Sequence, residues 1–262
     1  YEGMWAKYLK LLIGHSSYGQ ILTLLVFMGG LAIGSFLSAK LVDRVKSPLM
    51  WYIVIEFMIG GLGCVFHNSF VFSRETLWSS GVIANQGSAV SMLLAVLVGM
   101  FLTLPQAILL GATFPFAVAG IINAIKSENG NDIAALYFSN SIGGFLGILV
   151  TSFVLVPRLG LPGTLLFAAT LNFAIGLGFY LISKFESVKT HDEKPERVSG
   201  EETEPNNHGF SVGLLLFVSL GTGLTSFFYE IGWIRLLALV MGSSTHAFDL
   251  MVSAFILGLG GG

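Results

Sequence analysis

Long apolar stretches separated by short polar ones follow one another along most of the chain. A helix needs about 20 mainly apolar residues to cross a hydrocarbon layer of roughly 30 Å, because its backbone polar groups must pair within the segment. Stretches of about this length occupy residues 18–41, 49–66, 137–156, 161–183 and 210–241. The pattern therefore predicts an all-α polytopic membrane protein.

Three further regions fit this pattern less simply. Residues 88–125 are apolar but contain Pro105 and Pro115, so they form either one long kinked helix or two shorter helices. Residues 1–13 and 246–262 are apolar but too short to cross a bilayer alone.

The two short ends resemble each other. When Tyr1 is placed on Tyr229 without a gap, aromatic, acidic and loop positions coincide. The matched pairs are Glu2 with Glu230, Trp5 with Trp233, Lys7 with Arg235, Gly14 with Gly242, Ser16 with Ser244, Phe27 with Phe255, and Gly30 with Gly258. Shared hydrophobicity alone would give scattered Leu matches, so the register indicates an internal repeat. Since residues 210–228 precede Tyr229, we expect an apolar segment of about 15–20 residues before Tyr1 in the native protein.

With residues 88–125 taken as one helix, about eight transmembrane helices are expected, the first and last truncated. Six lie in a first half (1–183), and two in the start of a second half (209–262), with a charged linker (184–208) between them. The two repeat copies then share one orientation, which is the parallel arrangement of major-facilitator transporters.

Basic residues support this topology. One set of loops contains Lys40, Arg44, Lys46, Lys126, Lys184, Lys189, Lys194 and Arg197. The opposite loops contain only Arg74 and Arg158. The positive-inside rule therefore predicts that residues 42–48, 126–135 and 184–208 face the cytoplasm, in a multi-pass protein of the inner (plasma) membrane.

Composition excludes several other classes of protein. Only 11% of residues are charged, against about 25% in soluble domains, and 54% are apolar. Nearly half of the 15 acidic residues lie within 186–204, a composition typical of a mobile linker. A net charge of −2 without a basic stripe gives no indication of a nucleic-acid partner. The single Cys64 excludes an internal disulfide, and the scattered histidines indicate neither a metal site nor a cofactor.

Several motifs, in this order, resemble the membrane region of bacterial fused major-facilitator/spermidine-synthase-like proteins over essentially the whole chain. They are residues 1–5 (Tyr-Glu-Gly-Met-Trp), 29–35 continuing to Asp43-Arg44, 111–115, Tyr137 with 140–143, Pro157 with Leu159-Gly160, and Tyr229-Glu230 with Trp233. The resemblance implies a membrane module attached to an aminopropyltransferase domain that makes polyamines. This chain contains no soluble α/β stretch for such a domain, so no catalytic residue is carried over and enzymatic activity stays open.

Four acidic residues lie inside the apolar stretches: Glu2, Glu56, Glu230 and Asp249. Each costs at least about 2.5–3.5 kcal/mol at mid-membrane, so each needs a partner on another helix or a water-filled cavity. One interpretation is a substrate cavity that these acids line together with the aromatic rings of Tyr1, Trp5, Tyr229 and Trp233, which suit a cation. The other is a set of interhelical hydrogen bonds with packed aromatic residues.

Other polar residues have two interpretations as well. Asp43 and Arg44 fit a gating latch or a simple topology signal. Asn140, Asn172 and Gln106 are more typical of hydrogen bonds between helices than of substrate binding. The glycines of 257–262 and 29–34 indicate close helix packing and not a nucleotide loop, since no strand precedes them.

Three functional classes are consistent with the sequence. The first is the membrane module of a spermidine-synthase-like protein, which anchors the enzyme or handles polyamine-like cations. The second is a free-standing transporter, and the third is a structural subunit of a membrane complex. The expected partners are the lipid bilayer, a polyamine or other small cation, and a fused or associated soluble domain or neighbouring membrane subunits.

Overall fold

The computed structural model describes residues 1–14, 16–81, 89–125, 130–189, 212–242 and 244–261, and every secondary-structure element in these ranges is helical. The elements are α1 (Glu2–Ile13), α2 (Ser16–Val42), α3 (Pro48–Ser79), α4 (Ala89–Ile125), α5 (Gly130–Val150), a π-helical turn (Thr151–Leu155), α6 (Val156–Lys189), α7 (Val212–Met241) and α8 (Ser244–Gly261). The all-α class is confirmed.

Within the described residues, five helical segments are long and apolar enough to cross a membrane. They are Tyr18–Val42, Pro48–Ser79, Ala89–Asn123, Asn131–Lys184 and Leu220–Met241. By the length and composition of its helices, the chain is therefore a multi-pass α-helical membrane protein.

Helix α4 decides between one long kinked helix and two shorter helices in this part of the chain. It runs without interruption from Ala89 to Ile125 and contains both Pro105 and Pro115. Proline removes one backbone hydrogen bond, but a helix in an apolar environment continues because no water is present to satisfy a broken backbone.

Helix α3 is longer than the apolar pattern predicted. The stretch 49–66 is followed by 13 more helical residues that include Arg74 and Glu75. On this extension Phe70, Val71 and Leu77 pack against the core around α1, so the helix continues beyond the apolar stretch because its inner face is still buried.

The long segment after α5 contains a break at Gly160. This residue has φ 67° and ψ −179°, which lies outside helical geometry and which only glycine adopts readily. Pro162 follows, and the Thr164 hydroxyl donates to the Gly160 carbonyl at 2.7 Å, a side-chain bond across one turn. The expected boundary between 137–156 and 161–183 lies at this break. Helix α6 then continues to Lys189, six residues into the expected linker 184–208, most of which lies outside the described residues.

Helices α2 and α4 pack through glycine. A Cβ on Gly30 would collide with Ala107, one on Gly34 with the Ile108 carbonyl, and one on Gly111 with the Leu31 carbonyl. The Ser35 hydroxyl donates to the Gly111 carbonyl at 2.9 Å. The glycines of 29–34 thus allow close helix packing, as the sequence indicated, while Gly260 in α8 packs on Ser141 of α5.

Helix α1 lies at the centre of the aromatic core. Trp5 is fully buried and packs edge-on against Phe27 of α2, and Tyr8 packs against Phe66 and Phe70 of α3. Around this core, α3 packs on α4 and α6, and α8 packs on α5 and α7. Helix α1 also contacts α8, so it touches elements from both ends of the chain.

Candidate functional site

Glu56 is the centre of the first polar site. It is buried in α3, one turn after Tyr52. Asn172 of α6 donates from Nδ2 to Glu56 Oε2 at 2.7 Å, and its Oδ1 accepts from the Tyr1 hydroxyl at 2.9 Å. Residues from three helices therefore fix the position of one carboxyl group.

A cavity of about 320 Å³ opens beside Glu56. Helices α3, α4, α5 and α6 each contribute to its wall. The polar lining consists of Tyr52, Glu56, Thr113, Asn140 and Asn172. The apolar lining consists of Leu110, Phe114, Ala117, Val118, Leu136 and Ile175. One acidic group in a largely apolar pocket, with several neutral acceptors nearby, is an arrangement suited to a cationic guest that has an apolar chain.

The second polar site joins α1 to α8. Lys7 Nζ donates to Asp249 Oδ2 at 2.8 Å, and the two side chains are 12% and 0% exposed. The same ammonium lies 3.4 Å from Ser152 Oγ, on the π-helical turn, and 3.3 Å from the Gly3 carbonyl. The ion pair is therefore almost completely removed from water.

Two more carboxyl groups lie near this pair. Glu2 and Glu230 are buried, and Glu2 lies close enough to both Glu230 and Asp249 for their negative charges to repel. Glu2 Oε1 and Asp249 Oδ1 have no hydrogen-bond partner among the described residues. Asp249 Oδ1 faces the α1 backbone, since a Cβ on Gly3 would lie 2.9 Å from it.

The eight residues expected to line one cavity do not lie together. Glu56 lines the cavity of the first site, with Tyr1 bonded to its partner Asn172, while Glu2, Glu230 and Asp249 form the cluster at Lys7. Trp5 lies in the core, and Tyr229 and Trp233 are 64% and 54% exposed. The matched Trp5 is buried at the same helical phase as Trp233, so the cause is which faces of α7 the neighbouring helices cover.

Asp43 and Arg44 lie exposed in the connection between α2 and α3. The Arg44 backbone N–H donates to the Leu41 carbonyl at 2.9 Å, as in the last turn of a helix. Their assignment as a latch or as a topology signal stays a prediction.

Sequence reasoning missed Lys7, Tyr52 and Ser152. Lys7 was used only as the match of Arg235, although a lysine within an apolar helix needs a buried acid as its partner. Asn172 was taken as a link between helices. It does link helices, but it also holds the cavity carboxyl.

Among the described residues, no group of three or more His, Cys, Asp or Glu side chains is arranged to hold a metal ion. Comparisons of the chain with protein-family models, with characterised proteins and with solved structures find no match. The geometry of the two polar sites is thus the basis for a functional assignment.

Proposed function

We propose that this chain is the major-facilitator-like membrane module of a spermidine-synthase-like protein and that it binds a polyamine-like organic cation in the cavity beside Glu56. The observation that carries the proposal is the buried Glu56 carboxyl, which Asn172 orients at the wall of a cavity of about 320 Å³.

The energetic argument begins with Glu56 itself. An acidic group within a membrane-spanning helix is costly and by default marks a functional site. The Asn172 amide donates to Glu56 Oε2 at 2.7 Å and holds the carboxyl group in place. A buried carboxylate needs an opposite charge to remain ionised, and an ammonium group in the cavity would supply it.

The remaining lining suits the rest of such a guest. Tyr52 and Phe114 supply aromatic rings that attract a cation. Thr113 donates its hydroxyl hydrogen to the Leu110 carbonyl, so its oxygen is left to accept, and Asn140 adds an amide oxygen. The apolar side chains, among them Leu136 and Ile175, fit the methylene groups between the amines of a polyamine.

The proposed architecture has about eight transmembrane helices in a parallel repeat. The Gly160 break supports it by dividing 131–184, which is far longer than the roughly 20 residues of one crossing. The helix ends support it too, since α1 ends at Ile13 and α7 at the matched Met241, while α2 begins at Ser16 and α8 at the matched Ser244.

Orientation in the inner membrane has its own test. We expect the connection at Lys46 to face the cytoplasm and Arg74 to face outward. Single cysteines at these positions in a Cys64→Ser background, labelled in sealed cells by an impermeant reagent, should react at position 74 alone. Labelling at position 46 alone would invert the orientation.

The binding test compares two glutamates of α3. Glu56→Gln keeps the size of the side chain but removes the charge, so spermidine binding to the protein in nanodiscs should weaken about 10- to 100-fold. Glu75→Gln is the matched control, because Glu75 is exposed on the same helix and should leave binding unchanged. Equal affinities of wild type and Glu56→Gln, or no binding at all, would refute the proposal.

Uptake separates the roles open to a cation-binding module. Spermidine uptake into proteoliposomes that is lost in Glu56→Gln would identify a transporter. Binding without uptake would favour a module that handles the cation for an attached enzyme. A structural subunit would show neither binding nor uptake.

A further inference from the structure

Helix α2 has two faces of different character. Gly30 and Gly34 lie four residues apart on the face that packs closely against α4. Ile33, Phe36 and Leu37 lie on another side of the helix, and all three side chains are exposed. On a membrane-spanning helix, exposed apolar side chains of this kind contact the acyl chains of lipids, which are as apolar as leucine. We call this surface the outer face of α2.

Two basic residues continue the outer face at the end of α2. Lys40 lies one turn after Phe36 and is exposed. The Arg44 backbone N–H donates to the Leu41 carbonyl at 2.9 Å, so the chain keeps turning past the end of the helix. Arg44, which is also exposed, therefore follows Lys40 by about one turn. The outer face thus changes from apolar to positively charged along the helix axis.

The length of α2 places this change at the membrane surface. Its 27 residues, from Ser16 to Val42, correspond to about 40 Å of helix. The hydrocarbon layer is roughly 30 Å thick, and the bilayer with its headgroups is about 40–45 Å thick. Lys40 lies in the last turn of α2, so its side chain is at the level of the lipid headgroups.

The Lys40 side chain is turned back along the helix. Its Nζ lies 4.0 Å from the centre of the Phe36 ring, and Phe36 is one turn closer to the middle of α2. A lysine at the end of a membrane helix ordinarily extends its ammonium group into water. The cation–π contact instead holds this charge directly beside the exposed apolar side chains, where the headgroup of a lipid meets its acyl chains.

The positive charges at this end of α2 have no counter-ion within the described part of the chain. Lys40 and Arg44 carry the same charge about one turn apart, which is unfavourable. Asp43 lies between them in sequence, but no described carboxylate comes within 4.0 Å of either basic group. Lys46, in the connection to α3, adds another exposed positive charge. An anion bound beside the helix would relieve this repulsion.

We propose that the outer face of α2 binds an anionic phospholipid. Its phosphate lies between Lys40 and Arg44, and its acyl chains lie along Ile33, Phe36 and Leu37. A phosphate group requires positively charged donors, and acyl chains require an exposed apolar surface. The outer face offers both, in the order in which they follow each other from the surface of a bilayer to its centre.

This lipid site is separate from the cavity beside Glu56. No residue of α2 lines that cavity, so lipid binding goes beyond the proposed binding of an organic cation and does not depend on it. The two basic residues also gain a role that a topology signal does not require, because a topology signal needs only their charge and not the position of the Lys40 ammonium over Phe36.

The test compares phosphatidylglycerol with phosphatidylcholine. The protein is released from nanodiscs that contain equal amounts of both lipids, and native mass spectrometry measures the ratio of the two that stay bound. Lys40→Gln and Arg44→Gln should each lower the wild-type preference for phosphatidylglycerol about fivefold, and the double variant about 10- to 30-fold. Arg74→Gln is the matched control, because Arg74 is an exposed basic residue near the other end of α3, and it should leave the preference unchanged.

Phe36→Leu distinguishes a defined site from the general attraction of a positively charged surface. The substitution keeps an apolar side chain and every charge, but it removes the ring that holds the Lys40 ammonium. The preference for phosphatidylglycerol should fall about 2- to 5-fold. An unchanged preference would show that charge alone attracts the lipid, and the proposed site would be wrong.

Three other outcomes would overturn the proposal. The first is a wild-type protein without any preference for phosphatidylglycerol, or a preference that survives in the double variant. The second is displacement of the lipid by millimolar glycerol phosphate, which would show a site for the phosphate group alone. The third is a melting temperature in phosphatidylcholine nanodiscs far below that of wild type for any of these variants, since side chains that face lipid should be replaceable without loss of folding.

Discussion

The two matched helix pairs, α1–α2 near the start of the chain and α7–α8 near its end, share their local geometry but differ in their surroundings. Both first helices end at a glycine with positive φ, 80° at Gly14 and 65° at Gly242. Trp5 is fully buried, whereas the matched Trp233 is 54% exposed. Repeated sequence therefore specifies a helix and its end, while the neighbouring helices decide what each side chain does.

The glutamates show the opposite behaviour. Glu2 and Glu230 occupy matched positions and are both buried, and they approach the same cluster from α1 and α7. Asp249 does not follow the repeat, since the position of α2 that matches it is the apolar Ile21, although its partner Lys7 matches the basic Arg235. The ion pair thus belongs to the contact between the pairs and not to either copy.

Substitution of the matched tryptophans, Trp5 and Trp233, should give the largest difference in stability between the two helix pairs. Trp5→Ala removes a ring that packs on Phe27 and Phe66, and we expect it to lower the free energy of unfolding by about 3–5 kcal/mol. Trp233→Ala should cost less than about 1 kcal/mol, because that ring is half exposed. Thermal unfolding of both variants in the same nanodiscs measures the difference. Equal losses would show that Trp233 is packed in the native assembly.

The matched glycines of the second helices, Gly30 and Gly258, should give the next largest difference in stability. A side chain at Gly30 would collide with Ala107, so Gly30→Val should cost about 1–3 kcal/mol by forcing α2 away from α4. The matched Gly258 has no atom within 4 Å of its added Cβ, and Gly258→Val should be nearly neutral. Melting temperatures decide this comparison, and a neutral Gly30→Val would contradict the α2–α4 contact.

The helix-end glycines should behave alike. Gly14→Ala and Gly242→Ala each place a side chain at a positive φ with open space around it, so backbone strain alone remains. We expect each to cost about 1 kcal/mol. A difference above roughly 1 kcal/mol between the two melting curves would show that the two ends are not equivalent.

The glutamates should give the smallest change in stability. Glu230→Gln removes one of the charges that repel Glu2, so the free energy of unfolding should change by less than about 1 kcal/mol. Neither carboxyl lines the cavity beside Glu56, so we expect spermidine binding to be unchanged in Glu230→Gln and in Glu2→Gln. A sharp fall in melting temperature would assign these carboxyls a structural role instead.

The long apolar runs allowed most helices to be predicted from the sequence. Where the run alone defined the element, as for α2 and α7, the predicted and observed ends lie within two residues. The end of α3 was missed because the helix continues through polar residues such as Arg74 and Glu75, which an apolar pattern excludes but buried neighbours like Phe70 allow.

The sites could be predicted only in part. Glu56 was identifiable because an acid in an apolar stretch is costly, but its cavity is built by four helices whose packing no local pattern encodes. The Lys7–Asp249 pair joins the two ends of the chain, so neither spacing nor periodicity indicated it. The exposure of Tyr229 and Trp233 likewise depends on which faces of α7 the neighbouring helices cover.

The glycine contact between α2 and α4 also limits how the protein can change shape. Gly30, Gly34 and Gly111 bring the two backbones so close that sliding one helix along the other would drive side chains into carbonyl groups. Packed interfaces of this kind move as one body or separate, because they do not deform continuously. Helices α2 and α4 should therefore travel together as a rigid pair, and any opening of the Glu56 cavity must come from α3, α5 or α6 moving against that pair.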